Sequence, residues 1–99
     1  MHVDAGGADR VAATFKMLGD PTRFRLLQAL DVGGELSVGD LAAAAGIQES
    51  AVSHALRLLR TAGMVQRRRE GRRVVYALDD EFVARLLRVS LRHDSSRRS

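Results

Sequence analysis

The chain has 99 residues, 45% of them hydrophobic, no cysteine and a formal net charge of +4. That is enough for one small domain, which buries a smaller share of its surface than a larger one and gains from a second copy of itself. The lack of cysteine excludes disulfides, thiolate metal sites and a thiol switch; neither a membrane-spanning run of roughly 18 apolar residues nor a signal-peptide pattern after Met1-His2-Val3-Asp4 is present, which predicts a cytoplasmic protein.

Residues 1–7, which include Ala5-Gly6-Gly7, read as a flexible leader. Ala8, Val11, Ala12, Phe15 and Leu18 then mark a short amphipathic helix that stops at Gly19. Asp20-Pro21 restarts the chain with an N-cap and a proline at the first helical position, where a missing N–H costs nothing. Phe24, Leu26, Leu27 and Leu30 form the buried stripe of this second helix, and Gly33-Gly34 breaks it. Ser37 and Asp40 make a short-armed capping box for a third helix from Val38 to about Ala45, followed by a tight turn at Gly46-Ile47. The fourth helix, over residues 48–63, puts Val52, Leu56 and Leu59 on one face and Ser50, Ser53, His54 and Arg57 on another. Two helices joined by about three residues containing glycine, the second with a polar outward face, are the pattern of a helix-turn-helix.

Past Gly63, residues 64–69 and 73–78 read as two strands joined by the hairpin turn Glu70-Gly71-Arg72, a small wing. Asp79 is a good cap for a last helix that runs to about His93. Val83, Leu86, Leu87 and Ser90 share one face of it, while Phe82, Val89 and Leu91 spread its apolar surface to another side. A terminal helix with so much to cover predicts a homodimer through the first and last helices. Residues 94–99 are expected to be a disordered basic tail. The predicted architecture is mainly α with a small β-hairpin: a winged helix-turn-helix domain of five helices and a two-stranded wing over residues 8–93.

Fifteen of the sixteen basic residues are arginine, and seven of them crowd into residues 57–73 against Glu70 alone. The guanidinium fork suits bidentate contact with phosphate or guanine, and the plainer alternative, a solvated basic face, usually mixes signs more evenly. Ser50, Ser53, His54 and Arg57 carry hydrogen-bonding groups suited to reading base edges in a major groove, and Arg60 extends that basic surface. His54 has a second reading, as a residue packed beside the wing. Arg67, Arg69, Arg72 and Arg73 would lie against phosphates or reach a neighbouring minor groove. Double-stranded DNA is the expected partner.

Four motifs, Leu18-Gly19-Asp20-Pro21-Thr22-Arg23, Glu35-Leu36-Ser37-Val38-Gly39-Asp40-Leu41-Ala42, Glu49-Ser50-Ala51-Val52-Ser53-His54 and Gly71-Arg72-Arg73-Val74-Val75-Tyr76, resemble the ArsR/SmtB family. These are bacterial winged-helix repressors, many of them metal sensors. The resemblance covers roughly residues 8–93 and implies a homodimer on an imperfect inverted repeat in a promoter, typically released when an effector binds. One metal site of the family needs a cysteine at the start of the third helix, where Ser37 stands. The other, on the last helices, runs Asp, His two residues on, a second His eleven further, then His or Glu three beyond. This chain has Asp80, Phe82, His93 and Ser96 at those places. Ala55 stands where family members often have glutamine in the reading helix.

Asp80 and His93 lie about 20 Å apart along one helix at 1.5 Å per residue, so they could share an ion only between antiparallel helices of two subunits, giving two sites per dimer. An oxygen and an imidazole suit nickel or zinc, with cobalt also compatible. A third ligand could come from Glu81, Asp94, or His2 beside the terminal amine. Each residue also has a plainer role: Asp80 in an acidic first turn, His93 solvated near a helix C-terminus, His2 in a loose leader. A metal-independent regulator answering to another ligand or a regulatory partner protein is the main alternative, favoured by Phe82 and Ser96. A winged-helix module for protein assembly is a further one, against which the arginine concentration argues. No nucleophile, base and orienting group come together in the pattern, so an enzyme is not expected.

Overall fold

The computed structural model describes residues 1–98, which form α1 (Ala5–Leu18), α2 (Pro21–Gly33), α3 (Val38–Ala45), α4 (Glu49–Thr61), β1 (Val65–Glu70), β2 (Arg73–Leu78) and α5 (Glu81–Arg98). Five helices and a two-stranded antiparallel hairpin are the predicted winged helix-turn-helix. α2 is the hub: α1, α3, α4, α5 and β2 all pack on it. Leu26, Leu27 and Leu30 of α2 are fully buried with Leu41, Val52, Leu56, Leu59, Met64, Val83 and Leu87 in one apolar core, against which α1 packs only the half-buried Met17 and Leu18 of its last turn.

Local chemistry sets the element ends. The Asp20 carboxylate accepts the Arg23 backbone N–H at 3.0 Å and caps α2. Arg23 in turn donates from Nε to the Met17 carbonyl at 2.9 Å, closing the end of α1 with its own side chain. Ser37 and Asp40 form the expected reciprocal capping box on α3. Gly46 ends that helix in the left-handed region at φ +67°, a conformation that a Cβ would strain, and so sets the turn into α4. The hairpin pairs Val65 with Leu78 through to Glu70 with Arg73, and Gly71 starts its tip at φ +61°.

Several boundaries differ from the sequence reading. β1 runs over Val65–Glu70 and not residues 64–69, which takes Glu70 out of the turn and into the ladder, and α4 is confined to Glu49–Thr61. Three further differences lie at α1 and α5. α1 begins at Ala5, inside the stretch expected to be a leader, because the Asp4 carbonyl accepts the Ala8 N–H at 2.9 Å and the alanine-rich turn extends backward over Gly6-Gly7. α5 is capped by Asp80 and not by Asp79: the Asp80 side chain accepts the Val83 N–H at 3.2 Å, whereas the Asp79 N–H is used by the Met64 carbonyl at the base of the hairpin. α5 also runs on through residues 94–98, placed by composition in a disordered tail over 94–99, of which Ser99 lies outside the described residues; each helical residue added to a formed helix is favoured over starting a new one.

Candidate nucleic-acid interface

α4 is divided cleanly. Val52, Ala55, Leu56 and Leu59 are buried, which fixes the helix in rotation, and Ser50, Ser53, His54, Arg57 and Arg60 stand exposed on the other side. Toward its C-terminal end α4 meets the wing: Arg57, Arg60 and Thr61 face Gln66 and Arg67 across a cleft of about 470 Å³ floored by Val65. His54 lies away from that cleft. It lines a second one of about 330 Å³ with Thr22 and Arg23 at the start of α2, so packing beside the wing is not its place.

The wing is held at its root by a backbone exchange in which Leu36 donates to the Tyr76 carbonyl at 3.0 Å and Tyr76 donates back at 2.8 Å. Strand alternation sets Arg67 and Arg69 on one side of β1 and Gln66, Arg68 and Glu70 on the other. Among the described residues Arg67, Arg69 and Arg72 make no ion pair. Arg68 and Arg73 do: Arg68 pairs with Glu35 and with Glu70 at 2.6 Å, and Arg73 pairs with Asp40. Glu35, foremost, holds the Arg68 guanidinium above its ordinary pKa. The Ser37 backbone N–H, then the Ser37 side chain, and after these Arg73, hold the Asp40 carboxyl below the usual range.

That lowered value has a consequence for acid stability. Asp40 favours the fold while ionised, fully so above the ordinary carboxylate pKa of about 4, and loses that contribution as pH falls through its lower folded value. The difference in thermal midpoint between the wild type and Asp40→Asn is expected to shrink between about pH 6 and pH 3. A gap that stays constant over that range would remove Asp40 as the source.

The two ends of the chain supply the other candidate residues. Val11 and Phe15 on α1 and Phe82, Val89 and Leu91 on α5 are bare, Phe15 at 53% and Val89 at 60% of full exposure. Of the apolar stripe of α1, Val11, Ala12 and Phe15 face outward, while its last member, Leu18, packs inward with Met17. A radius of gyration of 14.6 Å exceeds the roughly 13 Å usual for 100 residues, as befits helices that project without a partner. Asp80 caps the start of α5 and His93 lies in its C-terminal half, His2 precedes α1, and among the described residues no group of three or more His, Asp or Glu is placed to hold a metal ion.

Gln66, Thr61, Glu35 and the side chain of Arg23 escaped the sequence reading. Gln66 was visible only as a polar residue in a strand; its place opposite Arg57 needed the hairpin's position. Glu35 and Arg68 are 33 residues apart, and nothing local links them.

A glycine-turned pair of helices, the second presenting polar side chains, with an arginine-bearing hairpin behind it, defines a winged helix-turn-helix DNA-binding protein. The family model for the bacterial regulatory proteins of the arsR family matches residues 20–67. The HTH-type transcriptional regulator NmtR of Mycobacterium tuberculosis is 45% identical over 91 residues, spanning 92% of this chain and 75% of that protein. Among solved structures, the AntR antimony-specific transcriptional repressor superposes with a TM-score of 0.91 at 35% identity, over 99% of this chain and 88% of that one. The homodimeric winged helix-turn-helix DNA-binding domain of Mb0332 from Mycobacterium bovis gives 0.79 at 33% identity, over 97% and 90%. The chain belongs to the ArsR/SmtB family and is a DNA-binding transcriptional regulator.

Proposed function

We propose that two copies pair through α1 and α5 and present their α4 helices to an imperfect inverted repeat, acting as a repressor. The arginine-lined cleft between α4 and β1 carries this reading, because it sets base-reading and phosphate-binding groups side by side on one exposed surface. Arg57 with Ser50, Ser53 and His54 would meet base edges; Arg60, Arg67, Arg69 and Arg72 would meet phosphates. Arg73 belongs to that set by sequence, but its pairing with Asp40 gives it a competing partner. The probe is a duplex selected by the wild-type protein from a randomised pool. Arg67→Ala and Arg69→Ala are expected to weaken binding to selected and scrambled duplexes alike and to lower the slope of log K against log salt by about 0.9 for each phosphate left unneutralised. An unchanged slope would remove the wing from the interface.

The effector on this reading is a divalent ion, nickel or zinc, with cobalt equally suited in chemistry, held between Asp80 of one subunit and His93 of the other, with His2 as a third ligand. The fit is partial. One Asp80 oxygen caps α5, which leaves the other for a metal, and a single chain offers no complete ligand set among its described residues. The antimony-specific AntR supports an inorganic effector as a class. Calorimetric titration with nickel and with zinc is expected to show two equivalents per dimer, lost in His93→Ala. Absence of binding to either would favour the second reading, a regulator answering to another ligand or to a partner protein, which Phe82 and Ser96 at two of the family's ligand positions support.

A further inference from the structure

We infer that Glu35 and Asp40 are positioning residues that fix the angle of the wing, and that Arg68 and Arg73, although they stand in the arginine run, serve this latch and not phosphate. The inference rests on the reading of the wing as a DNA contact. A two-stranded hairpin is marginal on its own, so what its tip points at depends on what its root is tied to. The root is packed into the core through Val65 and Tyr76, and beyond it the polar ties are specific. Leu36 exchanges backbone bonds with Tyr76, and the residue before it, Glu35, takes Arg68, whose cross-strand partner is Val75, next to Tyr76. Arg68 is therefore clamped within one residue of the backbone bridge. Nearer the tip, Arg73 pairs with Asp40, a carboxylate already fixed by the Ser37 capping box at the start of α3.

These contacts hold the wing at two points, to the α2–α3 connection and to α3 itself. Exposed ion pairs such as these add little to global stability. Their effect is on direction: the root is held by buried Val65 and Tyr76, and the ion pairs limit the bending of the exposed outer part of the hairpin. By strand alternation Arg67 and Arg69 leave β1 on the opposite side from Arg68, and of the three only Arg68 is ion-paired among the described residues.

The test exploits a difference in sign. Removing an acidic side chain near DNA relieves repulsion and by charge alone tightens binding to every sequence. The latch predicts the reverse for the selected duplex. Glu35→Gln and Arg68→Gln should each weaken it about threefold to tenfold, with the salt slope and the thermal midpoint nearly unchanged. The exchange Glu35→Arg with Arg68→Glu should restore affinity to within about twofold, because the new pair ties the same two points with its charges reversed. Arg73→Gln repeats the experiment at the tip without touching the α3 cap. Tighter binding by Glu35→Gln, a slope lowered by Arg68→Gln, or failure of the exchange to restore affinity would each overturn the proposal. A slope unchanged in Arg67→Ala as well would withdraw the wing from DNA, and this latch with it.

Discussion

Phe15→Glu combined with Val89→Arg is expected to yield a folded monomer of 10.8 kDa that has lost nearly all affinity for the inverted repeat. Both side chains are bare in the single chain, so the substitutions leave the core of Leu26, Leu56 and Leu87 intact, and surface changes of this kind shift stability by about 0.5 kcal/mol or less. In the proposed dimer both would be covered. Burying a phenylalanine or valine contributes roughly 1.5–3 kcal/mol, whereas a charge placed there must be desolvated or the seam must open. Joining two half-site readers raises the affinity for the pair by about 10² to 10⁴ over either alone, and a monomer forfeits that gain. Sedimentation and binding to the selected duplex report the two effects separately. A variant that still sediments as a dimer would place the interface elsewhere.

Arg57→Ala is expected to cost about 1–3 kcal/mol at each half-site and to relax the preference at one base position. Arg57 is exposed, lies on the side of α4 opposite buried Leu56 and Leu59, and has no ion-pair partner among the described residues. Thr61 takes only its backbone carbonyl, at 3.0 Å, so the guanidinium is uncommitted. Arg57→Lys separates the two roles the residue could have. It keeps the charge and so the salt slope, but loses the planar fork and with it the base preference. Equal losses on selected and scrambled duplexes, with a lower slope, would make Arg57 a phosphate contact.

The parts of this fold that were legible in the sequence are those governed by neighbours along the chain. Asp20-Pro21, Ser37 with Asp40, and Gly46 each act within four residues, and each marks the boundary expected of it. The hydrophobic stripe of α4 was legible for the same reason, as was the hairpin around Gly71. Misreadings came where tertiary structure changed what a residue was free to do. Asp79 has the side chain of a cap, but the helix starts one residue later and the Asp80 carboxylate takes the Val83 N–H; the arginines of β1 look equivalent in sequence, yet Glu35 claims one of them. Val11 and Phe15 belong to one apolar stripe legible from spacing; only the fold shows that these two face away from the chain's own core while Leu18, at the end of the stripe, packs on it.

The position of α2 bears on how a signal could reach DNA. Both helices of the proposed seam, α1 and α5, rest on α2, and so does α4, so the three move as attachments of one beam. With a lever arm of roughly 20 Å, about half the middle dimension of 37 Å, a tilt of about 10° at the seam carries α4 some 3.5 Å along the duplex. That is about one base-pair step of 3.4 Å. Two reading helices displaced in opposite senses would then be out of phase with half-sites spaced by a helical turn. A regulator built this way needs no melted segment to let go: a small change in the angle at which its two copies meet is enough to spoil the match.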